Sequence, residues 1–354
     1  MITVIGAGIA GASAARAVRA LGGDVLVIDA VGVGAGASGN PAALVTPRLD
    51  AGLGQAAQLF AQAFQRAVRL YGEVADAVIS RGALQLAADD RDVDRYARIA
   101  VSDIFEPGSL ELLDSSTASL RLGEPASITL DQLTALAIDP APILAAWTGP
   151  VRKADVAGLQ ACADGWTLVD HAGDVIHRAD AVVLAGGLGC TALAEGLPLS
   201  PVRGQATWTR DGGTCPTAAF GGYVLPTRSG ILFGATHDRD DVGNDFRPGD
   251  QQRNLETLRQ AMPSLAGRIE ATVLEGRASI RAVSQDMMPL AGSTARPGVY
   301  ALSGFGSRGF SLAPLLAEHV AALAMGAPSP ISAEAADLVS PERFVRRATR
   351  RGRS

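Results

Sequence analysis

The first thirty residues, MITVIGAGIAGASAARAVRALGGDVLVIDA, constrain the fold of this chain more than any other stretch. Met1 to Ile5 is a short apolar run. Gly6, Gly8 and Gly11 form a GxGxxG turn around Ile9 and Ala10, an Ala-rich helical pattern follows, and Asp24 to Ala30 returns as a second strand. This is one βαβ unit, and each glycine has its own task. Gly6 permits a tight turn, Gly8 lets the backbone approach a pyrophosphate, and Gly11 lets the helix pack closely on the sheet. Phosphates would sit on the helix N-terminus, where unpaired N–H groups and the helix dipole favour negative charge. Asp29 lies 18 residues beyond Gly11, the spacing at which an acid caps the ribose hydroxyls of an adenosine. Nucleotide binding follows; which dinucleotide is bound must come from the rest of the chain.

With 354 residues the chain is long enough for two domains. No uncharged apolar run reaches 18 residues, so no membrane span is expected. The apolar N-terminus lacks a basic flank and is used by the fingerprint, which argues against a signal peptide. Cys162, Cys190 and Cys215 are scattered, and His171, His177, His237 and His319 show no ligand spacing, so neither a disulfide framework nor a metal site is expected. A cytoplasmic location suits this cysteine usage. The net charge is −5, yet residues 340–354 carry six Arg and one Glu, which leaves about −10 on the remainder. An Arg-rich end on an acidic body suits contact with phosphates, and equally a solvated helix end.

Residues 32–50 are too rich in Gly and small side chains for a helix and read as an ordered loop against a ligand. Residues 55–79 show helical spacing of Leu59, Phe60, Phe64, Leu70, Tyr71, Val74 and Val78. Strands are predicted at 83–87, 159–163, 166–170, 174–177, 205–210, 222–226 and 230–235, with a helix at about 250–261. The run AVVLAGG, ending in Ala185, Gly186 and Gly187, reads as a buried strand returning to the nucleotide domain. The chain closes with a strand at 299–302, a loop at 303–309, and a helix from Ser311 or Leu312 to Met325 with Pro314 in its first turn.

This order resembles the flavin-dependent amine oxidases of the D-amino-acid oxidase type, which include glycine oxidase and sarcosine oxidase. Four segments, GASGNPAALVTPRLD (36–50), EGRASIRAVSQDMMPLAG (275–292), GFGSRGFSLAPLLAE (304–318) and PERFVRR (341–347), are similar to the FAD-dependent oxidoreductase half of the bifunctional enzymes that make 5-methylaminomethyl-2-thiouridine in tRNA. The resemblance implies a discontinuous α/β, Rossmann-like FAD-binding domain (1–80, 145–204 and 286–340). Inserted in it is an α+β substrate domain on a mostly antiparallel sheet (81–144 and 205–285), and 341–354 forms a basic tail. It implies oxidation of the carboxymethylaminomethyl group of the wobble uridine to aminomethyl, with release of glyoxylate. Met1 opens directly into the nucleotide strand, so the methyltransferase half is expected to be absent and any later methylation to need a separate tRNA methyltransferase. The residues carried over for FAD are Gly6, Gly8, Ile9, Ala10, Gly11, Asp29, Ala37, Ser38, Asn40, Ala43, Leu44, Val156, Ala185, Gly186, Gly187, Gly304, Gly306, Ser307, Arg308 and Gly309. No Cys or His falls in 275–292 or in the flanking Gly-rich loops, so FAD is expected to be non-covalent.

Oxidising a nitrogen-linked glycine unit requires a hold on its carboxylate and a hydride acceptor; water then hydrolyses the imine. The flavin supplies the electron chemistry and the protein supplies position and field. Arg281, in the stretch resembling the carboxylate-binding segment of glycine oxidase, is the first candidate clamp, Arg308 the second and Arg277 the third, because a guanidinium fork binds both oxygens. Tyr223 is either a carboxylate donor and pocket wall or a core residue. Asp286 suits a structural role better than a tuning one. The helix after Gly309 would aim its dipole at the flavin pyrimidine edge. A tRNA substrate needs a basic rim, to which the Arg tail would contribute. The same clamp serves an oxidase or dehydrogenase of free glycine, sarcosine or D-amino acids, and a non-catalytic FAD-binding scaffold is the remaining alternative.

Overall fold

The computed structural model describes residues 1–50, 52–194 and 196–351, so Arg353 of the basic tail lies outside the described residues. The chain divides into two compact units, one of residues 1–39, 143–202 and 280–354, the other of 40–142 and 203–279.

The first unit is built on a six-stranded sheet in the order Leu290–Ser293, Val299–Ser303, Ala181–Leu184, Ile2–Ile5, Val25–Asp29, Val151–Lys153. Only Leu290–Ser293 runs antiparallel to its neighbour. The central strands, ITVI and AVVL, have almost no exposed residue, as parallel strands covered on both faces require. The helix Ile9–Ala20 is Ala-rich on its buried side, which lets it lie close to the sheet and to the helix Gly309–Met325. Arg16 and Glu318 link these two helices at 3.0 Å. A three-stranded antiparallel sheet, Gly158–Cys162, Gly165–Val169 and Val175–Ala179, falls within a residue or two of its expected places.

Two helical expectations need correction here. The C-terminal helix starts at Gly309, so Pro314 is its sixth residue and lies inside the helix rather than in the first turn. Its ring fixes φ without help from an N–H, and the flanking Ala313, Leu315 and Leu316 are buried, so packing holds the helix through the missing donor.

The second unit carries a mostly antiparallel sheet, with one parallel pairing, Ala218–Ala219 beside Val78–Leu86. The helix expected over 55–79 ends at Gly72, and the chain enters the strand Val78–Leu86. Residues 40–80, assigned by sequence to the nucleotide domain, pack in this unit because Ala43–Val45 pairs with Thr129–Ile138, a strand the sequence pattern did not announce. Leu84, Ala218, Val224 and Phe233 form one row on the face covered by the helices Pro248–Ala261 and Pro263–Glu270. The opposite face gathers Ala42, Ala137, Ala206, Leu225 and Leu232, with Leu44, Trp208 and Tyr223 at its margin.

Candidate active site

In the first unit the strands Ile2–Ile5, Ala181–Leu184 and Val299–Ser303 run parallel, so the three loops that leave their carboxyl ends meet. Ligands of open α/β sheets bind at such an edge. Gly6 has φ +111°, and a Cβ there would stand 2.6 Å from the Ala185 carbonyl oxygen. A Cβ on Gly11 would come within 1.8 Å of the Gly6 carbonyl oxygen, so only glycine lets the helix start this close to the strand. On Gly309 a Cβ would meet Ile9 Cγ2 at 3.2 Å, and Ser303 Oγ donates to the Gly187 carbonyl at 3.0 Å. The first βα turn, the Ala185–Gly187 turn and the Gly304–Gly309 loop therefore form one cradle.

Helix Ile9–Ala20 has no acidic residue in its first turn, and its N-cap Gly8 gives no side-chain cap. Ser38 Oγ accepts the Ile9 N–H at 3.0 Å, which pins the Ala37–Ser38 loop beside Gly8. Asp29 accepts the Ala7 N–H at 2.8 Å on one oxygen and those of Val31 and Gly32 at 2.9 and 2.8 Å on the other. Three backbone donors fix the carboxylate and leave it lone-pair capacity for a ribose hydroxyl. Ala154 donates to the Asp29 carbonyl at 3.1 Å and so brings half-buried Val156 alongside. A cradle closed to side chains, a helix end suited to a diphosphate and a fixed acid fit an adenine dinucleotide.

Arg281 stands half-buried on the strand Glu275–Ser284. A single antiparallel bridge, Val283 to Phe305, ties that strand to the loop of Gly304, Gly306, Ser307 and Arg308, and a Cβ on Gly306 would lie 3.5 Å from Val283 Cγ2. The structure thus brings the Arg281 and Arg308 segments together. The helix Gly309–Met325 begins on Arg308 without a side-chain cap or an acid in its first turn. Asp286, in the turn that follows the Arg281 strand, is held by Arg343 and Arg347.

Asn40, Ala43 and Leu44, carried over as cofactor residues, fall in the second unit. There Leu44 and Tyr223 border the same apolar cluster, and Arg277 Nη1 donates to Asn40 Oδ1 at 3.4 Å. Tyr223 is half-buried, one cross-strand row from Gly234 and Ala206.

Sequence reasoning missed a second polar feature of this unit. Arg203 is fully buried, hydrogen-bonded to Asp250, to Gln205 Oε1 at 3.1 Å and to the Asp245 carbonyl at 2.6 Å. Arg253 joins Asp238 and Asp250 at 2.8 and 2.5 Å, and Arg247 joins Asp241 at 2.5 Å. Hydrogen bonds from Arg253 and from Arg247 hold Asp238 and Asp241 below the usual carboxylate range. The one sequence signal was the density of Arg and Asp over 238–253.

The family model described as FAD dependent oxidoreductase matches residues 1–323. Proteins named tRNA 5-methylaminomethyl-2-thiouridine biosynthesis bifunctional protein MnmC are similar along the chain. One from a Caulobacter species is 51% identical over 350 residues (98% of this chain), and one from Caulobacter vibrioides is 50% identical over 349 residues (99%). The chain spans 58% of the length of each. Among solved structures, glycine oxidase from Geobacillus kaustophilus has a TM-score of 0.77 at 21% identity, covering 94% of this chain and 96% of that one. Iminodiacetate oxidase from a Chelativorans species has 0.79 at 22% identity, covering 96% and 99%. These structures share the fold. Among the described residues no helix is long and apolar enough to cross a membrane. The matched model and the glycine cradle agree, and the chain belongs to the FAD-dependent oxidoreductase family.

Proposed function

We propose that this chain oxidises the carboxymethylaminomethyl group of the wobble uridine in tRNA to aminomethyl, releasing glyoxylate. The observation that carries the reading is the 51% identity, over 98% of this chain, to proteins named for that uridine modification. The small-amine oxidases of the same fold stand at 21–22%.

Gly6, Gly8, Gly11 and Asp29 would hold the adenosine and diphosphate of FAD, with Ala185–Gly187 and Gly304–Gly309 completing the cradle. When bound, FAD supplies the two-electron acceptor for a C–H bond next to nitrogen. Arg281 and Arg308 would grip the carboxylate of the glycine unit. A charged fork fixes its oxygens in plane and thereby orients the methylene carbon. Tyr223 would close the apolar wall beside Leu44 and Trp208 and limit water near the reacting carbon. The secondary amine can lose its proton to water, so no side chain is assigned as general base. Once the C–H bond is broken, water adds to the imine carbon and the C–N bond breaks to leave the aminomethyl nucleoside and glyoxylate. FAD is held without a covalent bond, consistent with the absence of Cys and His from residues 275–292. In this reading tRNA is the macromolecular partner.

The test is anaerobic mixing of the holoenzyme with tRNA bearing carboxymethylaminomethyl-uridine. Bleaching of the flavin absorbance with formation of one glyoxylate per flavin is expected. No bleaching by that tRNA, together with bleaching by free glycine or sarcosine at millimolar levels, would replace this reading with a small-molecule oxidase.

A further inference from the structure

A tRNA nucleotide bearing a glycine unit carries two kinds of anion, a carboxylate and a phosphate. The carboxylate is assigned above to Arg281 and Arg308. Arg277 lies in the second unit and is placed for the other anion. Adjacent residues of a strand point to opposite faces. A Cβ on Gly276 would run into the Phe246 ring at 2.7 Å, so Arg277 points away from Phe246. Gly276 also abuts the Ala206 carbonyl oxygen, which places Arg277 at the edge of the cluster formed by Ala206, Leu225, Leu232 and Tyr223. On that side Arg277 Nη1 reaches Asn40 Oδ1 at 3.4 Å, two residues before Ala42 of the same cluster.

We propose that Arg277, oriented by Asn40, binds a phosphate oxyanion of the nucleotide that bears the glycine unit. Burial alone lowers the Arg277 pKa, and an arriving anion offsets the cost of keeping a guanidinium half out of water. The pair is chemically matched to an oxyanion. With Asn40 Oδ1 accepting from Arg277, its Nδ2 is left as a donor, so guanidinium and amide N–H groups can converge on one phosphate oxygen. A free amino acid has no such group, so Arg277 selects a nucleotide-borne glycine unit over free glycine. This inference rests on the tRNA reading and adds to it the part of the substrate recognised.

The test compares carboxymethylaminomethyl-uridine with its 5′-monophosphate on the holoenzyme, by the concentration dependence of anaerobic flavin bleaching. A charged hydrogen bond of this kind corresponds to about tenfold to hundredfold in affinity. The wild type is expected to bind the monophosphate at least about tenfold more tightly than the nucleoside. Arg277→Gln should shrink that preference below about twofold, with Arg277→Lys between, and the limiting bleaching rate should change less than the affinity. Flavin absorbance and melting temperature check that the variants are folded. On the wild type alone, uridine 5′-monophosphate should inhibit at lower concentration than uridine; equal inhibition overturns the proposal whatever the variants do. Equal weakening of both substrates by Arg277→Gln overturns it too and moves Arg277 into the carboxylate clamp. A wild type bleached by the nucleoside but indifferent to the phosphate removes this inference and leaves the tRNA reading standing. Bleaching by neither, with bleaching by free glycine, removes both.

Discussion

Asp286 and Arg343 form a two-pronged ion pair. Arg343 Nη2 meets Asp286 Oδ1 at 2.8 Å, Nε meets Oδ2 at 3.0 Å, and the Arg343 side chain is only 3% exposed. The same guanidinium donates to the carbonyls of Met288 and Ser340, at 2.8 and 3.0 Å. The basic C-terminal segment, expected from sequence to face phosphates, thus begins by clamping the turn after the Arg281 strand. Arg347 adds to Asp286 at 2.5 Å, and Arg346 pairs with Asp337 at 3.1 Å.

Burial alone would raise the Asp286 pKa, but hydrogen bonds from Arg343 and Arg347 outweigh it and hold the carboxyl well below the ordinary range. A group whose folded pKa is depressed contributes stability that is present above its unfolded pKa, about 3.9 for Asp, and lost as pH falls towards the folded value. Asp286→Asn should therefore cost about 3 kcal/mol at pH 7, the low end for breaking a buried pair. The gap between wild type and variant should close below about pH 4. Melting curves from pH 7 to pH 3 check this, and equal melting temperatures at pH 7 would show the clamp to be energetically idle.

The glycine cradle gives a second prediction. Gly11→Ala places a methyl group where the Gly6 carbonyl oxygen stands, 1.8 Å away, and backbone on both sides must shift. The expected cost is about 3 kcal/mol, the upper end for overpacking. Because the displaced atoms line the cradle, the protein should also purify with little bound FAD. Flavin-to-protein absorbance ratios report the loss; full occupancy with unchanged stability would mean that the strand-to-helix turn has slack.

Arg203 gives the third. A buried guanidinium with carboxylate and carbonyl partners is costly to half-dismantle. Arg203→Met leaves Asp250 with a lost partner and should destabilise by about 3–5 kcal/mol, as should Asp250→Leu. The double variant should lose much less than the sum, because no lone buried charge remains. Denaturant midpoints of the four proteins form the cycle, and strict additivity would show that the two side chains do not act as a pair.

What could be read from the sequence follows the range of each interaction. The βαβ unit was legible because Gly6, Gly8, Gly11 and Asp29 satisfy local rules of turn and helix within thirty residues. Arg281 and Arg308 were legible through the motifs around them, while the Val283–Phe305 bridge that joins those motifs is a tertiary fact. The placement of residues 40–80 was not legible, since it depends on Ala43–Val45 pairing with a strand some ninety residues away. The Arg203–Asp250 pair spans 47 residues and the Arg343–Asp286 pair 57, and nothing local in either segment names its partner. Tyr223 stayed ambiguous for a physical reason: it belongs to an apolar cluster and also stands at its margin, half in contact with solvent.

The carboxylate clamp gives the last prediction. Arg281 and Arg308 sit on segments joined by the Val283–Phe305 bridge, so each can steady the same oxyanion while the other is removed. Losing one charged hydrogen-bonding partner costs about 1.5–3 kcal/mol, or roughly tenfold to hundredfold in kcat/KM. If the clamp also orients the methylene carbon, kcat must fall along with the rise in KM, since misplacement is felt in the transition state. Arg281→Lys keeps the charge but loses the fork, so it should recover more of KM than of kcat. Steady-state kinetics on modified tRNA and single-turnover bleaching of the flavin separate the two effects. A variant Arg281→Ala with kcat intact and only KM raised would mean that Arg281 anchors the substrate without aiming it. Unchanged kinetics in both single variants and in the double would place the carboxylate elsewhere.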